Sequence, residues 1–122
     1  MPDGRSVQPF AARPQVDATI ARFPNFTLLA AGVAATLLGM ARRAIDEVIT
    51  LAEAKEMPTF GPREPPKLRD TVQIQEAVAR TEAELNGARA LCYGTVADLW
   101  SALLAGQHPS GRQRGMHRTA MT

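Results

Sequence analysis

An all-α chain built on two long antiparallel helices is what this sequence predicts, on three observations. Two proline-free stretches remain between proline clusters, apolar residues recur within each at intervals of three and four, and the apolar content is mostly Ala, Leu and Val. Aromatics make up only 5% of the 122 residues, against 45% hydrophobic residues in all. Ala and Leu favour helix, whereas strands draw on β-branched and aromatic side chains. Pro2, Pro9, Pro14 and Pro24 crowd the start, Pro58, Pro62, Pro65 and Pro66 the middle, and Pro109 opens the tail. A proline inside a helix removes a hydrogen bond and clashes with the preceding turn, so these clusters bound the helices.

Residues 1–22 show no sustained period and carry turn formers, which predicts an extended arm, the end of a preceding domain. The first helix is expected from Phe26 to Lys55 with Asn25 as its N-cap. Leu29, Val33, Leu37, Met40, Ile45, Val48 and Leu51 keep its helical spacing. Charged residues gather in its second half only, and the stretch from Phe26 to Ala41 has none. That stretch is shorter than the ~20 residues that cross a bilayer. Its small residues, together with Thr27 and Thr36, suit a helix buried in a larger helical assembly better than a membrane span.

Residues 57–67, with Gly61 and four prolines, predict a loop. The second helix is expected to begin at Leu68 or Asp70, with Asp70 as N-cap, and to run to about Ala105. Its apolar seam is Ile74, Val78, Leu85, Cys92, Val96, Leu99 and Leu103. Gly87 and Gly94 each cost ~1 kcal/mol relative to Ala, so they are expected to mark a close helix crossing. Gly106, His108 and Pro109 end the helix and leave residues 108–122 as an irregular tail. The hairpin thus occupies residues 23–107. Helices ~45 to 55 Å long with one partner each cannot cover the apolar first half of helix one, and the sequence calls for further helices.

Few residues point to chemistry. The net charge is +2, with the excess at the two ends (Arg5, Arg13, Arg22; Arg112, Arg114, Arg118) rather than on a basic stripe interleaved with aromatics, which argues against nucleic acid. His108 and His117 fall in the tail, and no metal-ligand spacing occurs. Cys92 lies on the seam of helix two and reads as a small core residue. One cysteine and a start, Met1-Pro-Asp-Gly-Arg, unlike a secretory signal predict a cytoplasmic setting. Glu76, Glu82, Glu84, Asp46, Glu47 and Glu53 read as a solvated face, with Arg43–Glu47 and Glu76–Arg80 as surface pairs. No phosphate loop and no nucleophile–histidine pairing is present. Arg89, close to the seam, needs a partner, and a salt bridge to helix one or a neighbouring helix is expected. Arg69, at the start of helix two, is placed for an anion because that helix end also offers amide donors.

The run Phe26-Thr-Leu-Leu-Ala-Ala-Gly-Val-Ala-Ala-Thr-Leu-Leu-Gly-Met-Ala-Arg-Arg-Ala-Ile-Asp-Glu resembles the opening helix of the acyl-CoA dehydrogenase C-terminal domain. Leu68-Arg69-Asp70, Ile74-Gln75, Val78-Ala79, Glu82-Ala83, Leu85 and Ala88-Arg89-Ala90-Leu91 resemble the type-2 version of that domain, found in flavin-dependent monooxygenases similar to 4-hydroxyphenylacetate hydroxylase and dibenzothiophene monooxygenase. The resemblance covers Phe23 to about Gln107. It implies a place in a four-helix bundle, packing in a homodimer or tetramer, and FAD or FMN bound between this domain and others. In the dehydrogenase branch an Arg-x-x-Phe-Gly loop and a following glutamine hold the cofactor phosphates. Here Phe60 and Gly61 match the end of the loop motif, Met57 replaces its arginine, Gln75 matches the second glutamine and Val72 replaces the first. These departures favour the monooxygenase-like branch, with Arg69 as the phosphate contact.

The resemblance therefore implies Arg69, Gln75 and Phe60 as cofactor-binding residues, with no catalytic residue and no metal in this stretch. The helices contribute packing and part of a flavin interface, and the chain by itself is expected to be inactive because the family's N-terminal and β domains are not in it. The alternative is a non-catalytic helical hairpin that dimerises into a four-helix bundle.

Overall fold

The structure, a computed structural model, describes residues 18–122. The arm expected over residues 1–22 lies outside the described residues up to position 17. Its last part, Thr19–Arg22, is a 3-10 turn rather than extended chain. Three α-helices follow: α1 (Asn25–Ala54), α2 (Val72–Leu104) and α3 (Gly111–Ala120). No strand occurs among the described residues, and the all-α fold with two long helices stands as predicted.

Helix α1 begins at its expected cap, one residue earlier than the expected start at Phe26. Asn25 is already helical and Pro24, at φ −61°, occupies the N-cap position without a side-chain hydrogen bond. Proline suits the boundary because its fixed φ is helix-compatible and it has no N–H to satisfy. Pro24 still contributes its carbonyl, which accepts from Leu28 N at 3.0 Å.

The connection between α1 and α2 is closed at its base. Leu68 N donates to Lys55 O at 2.8 Å and Met57 N donates to Pro66 O at 2.9 Å, with Glu56 and Lys67 bridged antiparallel between them. Gly61, at φ 107°, turns the tip, where a side chain would be strained. Asp70 does not cap α2. It ends a 3-10 turn (Leu68–Asp70) and its Oδ2 accepts from Lys67 N at 3.2 Å, while Thr71 takes the N-cap position of α2.

Helix α2 carries the core. Leu85, Cys92, Thr95, Leu99, Ala102 and Leu103 are buried along one face, and Leu99 is fully enclosed. Phe23, Leu99 and Leu103 form the central cluster, flanked by Val96 and Trp100. The rings of Phe23 and Trp100 lie 6.4 Å apart at 41°, inside the range where aromatic pairs attract. Helix α2 ends in a Schellman turn. Gln107 N donates to Ala102 O, Gly106 N donates to Leu103 O, and Gly106 takes the left-handed φ of 71° that this turn requires.

The tail is the main correction. Residues 111–120 are not irregular but helical, opened by a capping box in which Gln113 N donates to Ser110 Oγ at 3.2 Å and Ser110 N donates to Gln113 Oε1 at 2.8 Å. A short helix with one buried residue shows little apolar period, so the cap is its clearest mark in the sequence. Gly87 and Gly94 also behave otherwise than expected. A Cβ at either would meet nothing within 4 Å, so neither marks a close crossing among the described residues.

Helix α1 presents two apolar faces. Ala34, Ile45 and Ala52 are buried towards α2. A second stripe of Phe26, Leu29, Val33, Leu37, Met40 and Leu51 is exposed, each by 55% or more. At 100° per residue it is centred roughly 105° around the helix from the buried face. α1 is long and apolar enough to cross a membrane, with a mean hydropathy of 1.5 over an 18-residue window. Its charged second half and its packing on α2 are those of a bundle helix.

Truncating Leu99 to Ala is expected to destabilise the fold by about 2–5 kcal/mol. Leu104→Ala, at a position 63% exposed, is expected to change stability by less than about 0.5 kcal/mol. Urea denaturation followed by circular dichroism measures both, and equal losses would mean that the α2 seam is not the core.

Candidate functional site

The turn ahead of α2, its first residues and the last turns of α1 border an open hollow of ≈ 380 Å³, lined by Ile49, Glu53, Arg69, Ile74, Gln75 and Val78 among others. Of the three residues expected at a cofactor site, two meet here. Gln75 Nε2 donates to Arg69 O at 3.1 Å, which ties the helix start to the preceding turn. The Arg69 guanidinium is half exposed and its Nε lies 3.7 Å from Asp70 Oδ1. The Thr71 hydroxyl donates to Leu68 O at 2.7 Å and does not cap the helix, which leaves the first-turn amides of α2 without a side-chain acceptor. Phe60 stands apart, fully exposed in the loop and not among the residues that line the hollow. Asp70 and Glu53 beside Arg69 soften its positive field.

A second polar cluster joins all three helices. His117 of α3 is 2% exposed. Its Nε2 is 3.2 Å from Thr27 O of α1. A carbonyl only accepts, so Nε2 carries a proton and donates. On its other side Nδ1 lies 3.4 Å from Thr95 Oγ1 of α2, and that hydroxyl donates to Cys92 O at 3.0 Å. Cys92 Sγ donates in turn to Ala120 O at 3.0 Å, at the end of α3. Cys92 is a buried core residue, as expected, but it also tethers α3. His117 was legible only as a tail residue, because nothing in the spacing of α3 distinguishes a buried histidine from a solvated one.

Arg42 of α1 makes the ionic link between the long helices. Its Nη1 donates to both carboxylate oxygens of Glu82 on α2, at 2.6 and 2.7 Å, and its Nη2 lies 2.8 Å from Asp46. Hydrogen bonds to Glu82 first, and then to Asp46, hold the guanidinium above its ordinary range. This is the inter-helix bridge expected of Arg89, which is instead exposed with no ion pair among the described residues. The surface pairs Arg43–Glu47 and Glu76–Arg80 are both present. No group of three His, Cys, Asp or Glu residues that could hold a metal occurs among the described residues.

The arrangement can position and pack, and its polar groups are engaged in holding helices together. Three helices on one seam, with a second apolar face left over on α1, define a helical packing domain, and comparison with known proteins identifies it. Residues 31–122 match the family "Acyl-CoA dehydrogenase, C-terminal domain", and the chain belongs to that family. The match runs through α3, so the third helix is part of the domain rather than a departure from it. Indole-3-acetate monooxygenase of Pseudomonas putida is 32% identical over 94 residues, which is 77% of this chain and 23% of that protein. The chain thus spans less than a quarter of that relative's length.

His117→Ala removes a bond to α1 and a contact to α2, while Thr27 O, inside α1, keeps its place in the helical ladder. A loss of about 2 kcal/mol is expected, the scale of a lost buried hydrogen bond together with the cavity left by the ring. Hydrogen exchange should show α3 opening faster while the middle of α2 stays protected. Uniform acceleration across all three helices would mean that α3 is not a separately anchored element.

Proposed function

We propose that this chain works as the helical-domain part of a flavin-dependent, monooxygenase-like oxidoreductase, supplying packing surface and part of a flavin-binding interface while the reacting groups lie elsewhere in the enzyme. The observation that carries this reading is the exposed stripe of α1, from Phe26 to Leu51. A contiguous apolar face of this length is characteristic of a surface covered by another part of an assembly. A homodimer or tetramer in the cytoplasm, formed by packing of such faces, is the arrangement we assign.

Family membership supports flavin, FAD or FMN, as the cofactor. The replacement of the dehydrogenase-branch arginine and glutamine by Met57 and Val72, together with the similarity to a monooxygenase, supports the monooxygenase-like branch. Arg69, with the uncapped first turn of α2, would meet a cofactor phosphate, and Gln75 would hold Arg69's backbone in place. Phe60, projecting from the loop, would reach a neighbouring part of the assembly rather than the hollow itself.

A second reading is a non-catalytic helical hairpin whose faces pair into a four-helix bundle, favoured by the same stripe. Size-exclusion chromatography with light scattering, run with and without FAD or FMN, separates the two. Flavin co-eluting with an oligomer, and lost in Arg69→Ala, is the expected result. An oligomer that excludes flavin leaves the packing module as the function.

The stripe itself is tested by Leu37→Lys with Met40→Lys, expected to shift the light-scattering mass to that of one chain with helicity retained. An unchanged oligomer would assign the interface to another face.

A further inference from the structure

We propose that the cleft between the first turns of α1 and the outer face of α3 binds an organic anion, a carboxylate or phosphate carried on an apolar, aromatic-sized body. The cleft measures ≈ 520 Å³ and is lined by Phe26, Thr27 and Ala30 on one side and Arg114, Arg118 and Met121 on the other. That volume falls within the range of small-molecule sites. Buried His117 forms its floor and fixes its width, since the bond from Nε2 to Thr27 O joins the two walls.

The charge pattern supplies the sign of the ligand. Arg114 and Arg118 stand one helical turn apart on the same face of α3, a like-charge pair whose repulsion an anion relieves. Neither has an ion-pair partner among the described residues. Among the described residues, the start of α1 with the turn before it (18–35) and the chain from Leu99 through α3 (99–122) contain no Asp or Glu. The carboxylate of α2 at this end, Asp98, borders a different cleft, with Arg112. The apolar wall supplies the rest of the selectivity, because a guanidinium pair alone would take any anion, whereas Phe26, Ala30 and Met121 reward a ligand with a non-polar body. The site lies at the opposite end of the hairpin from Arg69 and does not depend on the flavin reading.

The test uses the full 122-residue chain in the assembly it forms, titrated by calorimetry with three probes: 1-naphthoate, its neutral analogue 1-naphthylmethanol, and inorganic phosphate. Saturable binding of 1-naphthoate is expected, at least tenfold tighter than either other probe. Arg114→Gln with Arg118→Gln should weaken it tenfold or more, with helicity unchanged because both positions are exposed and glutamine is a good helix former. Arg112→Gln, outside the cleft, should leave it unchanged. The proposal is overturned if naphthoate does not bind, if the neutral analogue or phosphate binds as tightly, if the double variant keeps wild-type affinity, or if Arg112→Gln weakens binding equally.

Discussion

The fold depends on one continuous seam along α2. From Leu85 to Leu103 this face receives α1, the Phe23 ring near its end at Leu99 and Leu103, and α3 over Cys92 and Thr95. Leu99 is enclosed by Phe23 and by Val96, Trp100 and Leu103 of its own helix, and burial of a leucine of this kind contributes on the order of 1.5–3 kcal/mol. No other helix has that centrality. α1 contributes mainly Ala34, Ile45 and Ala52 to the shared interior, and α3 contributes a single buried side chain, His117.

This division explains why polar contacts matter so much at the edges of the core. Two long helices meeting over small residues can slide past each other, since alanine offers little to interlock. Arg42, with both oxygens of Glu82, gives the crossing a fixed register. α3 is too short to hold itself by helix propensity. Its place is set by a capping box, a histidine bonded to one neighbouring helix and in contact with another, and the Cys92 thiol on its last carbonyl.

The two long helices were legible because their length gives apolar periodicity room to repeat, and because prolines bracket them. Their boundaries moved, by one residue for α1 and by two to four at the start of α2, for a local reason in each case: Pro24 serves as the boundary of α1, and Leu68–Asp70 is spent on a 3-10 turn. α3 escaped because Gly111-Arg-Gln-Arg-Gly-Met-His-Arg is nearly all polar. Only the spacing of Ser110 and Gln113 announced it, a signal that is easily outweighed by two glycines and three arginines. Of the site, the pairing of Arg69 with Gln75 follows from a turn leading into a helix, which sequence can suggest. The position of Phe60 depends on how a proline-rich loop projects, and the burial of His117 depends on which carbonyl of α1 comes within reach. Neither leaves a periodic mark.

The loop that joins α1 to α2 has a consequence of its own. Because Lys55 and Leu68, and then Met57 and Pro66, are fastened backbone to backbone, the geometry of the hairpin is settled at the base of the loop, outside residues 58–65. The residues between are mechanically insulated from the helices. Their length and composition can diverge among relatives, or accept an inserted sequence, while the helix pair keeps its alignment. Such a segment can acquire a new neighbour without the bundle having to be rebuilt around it.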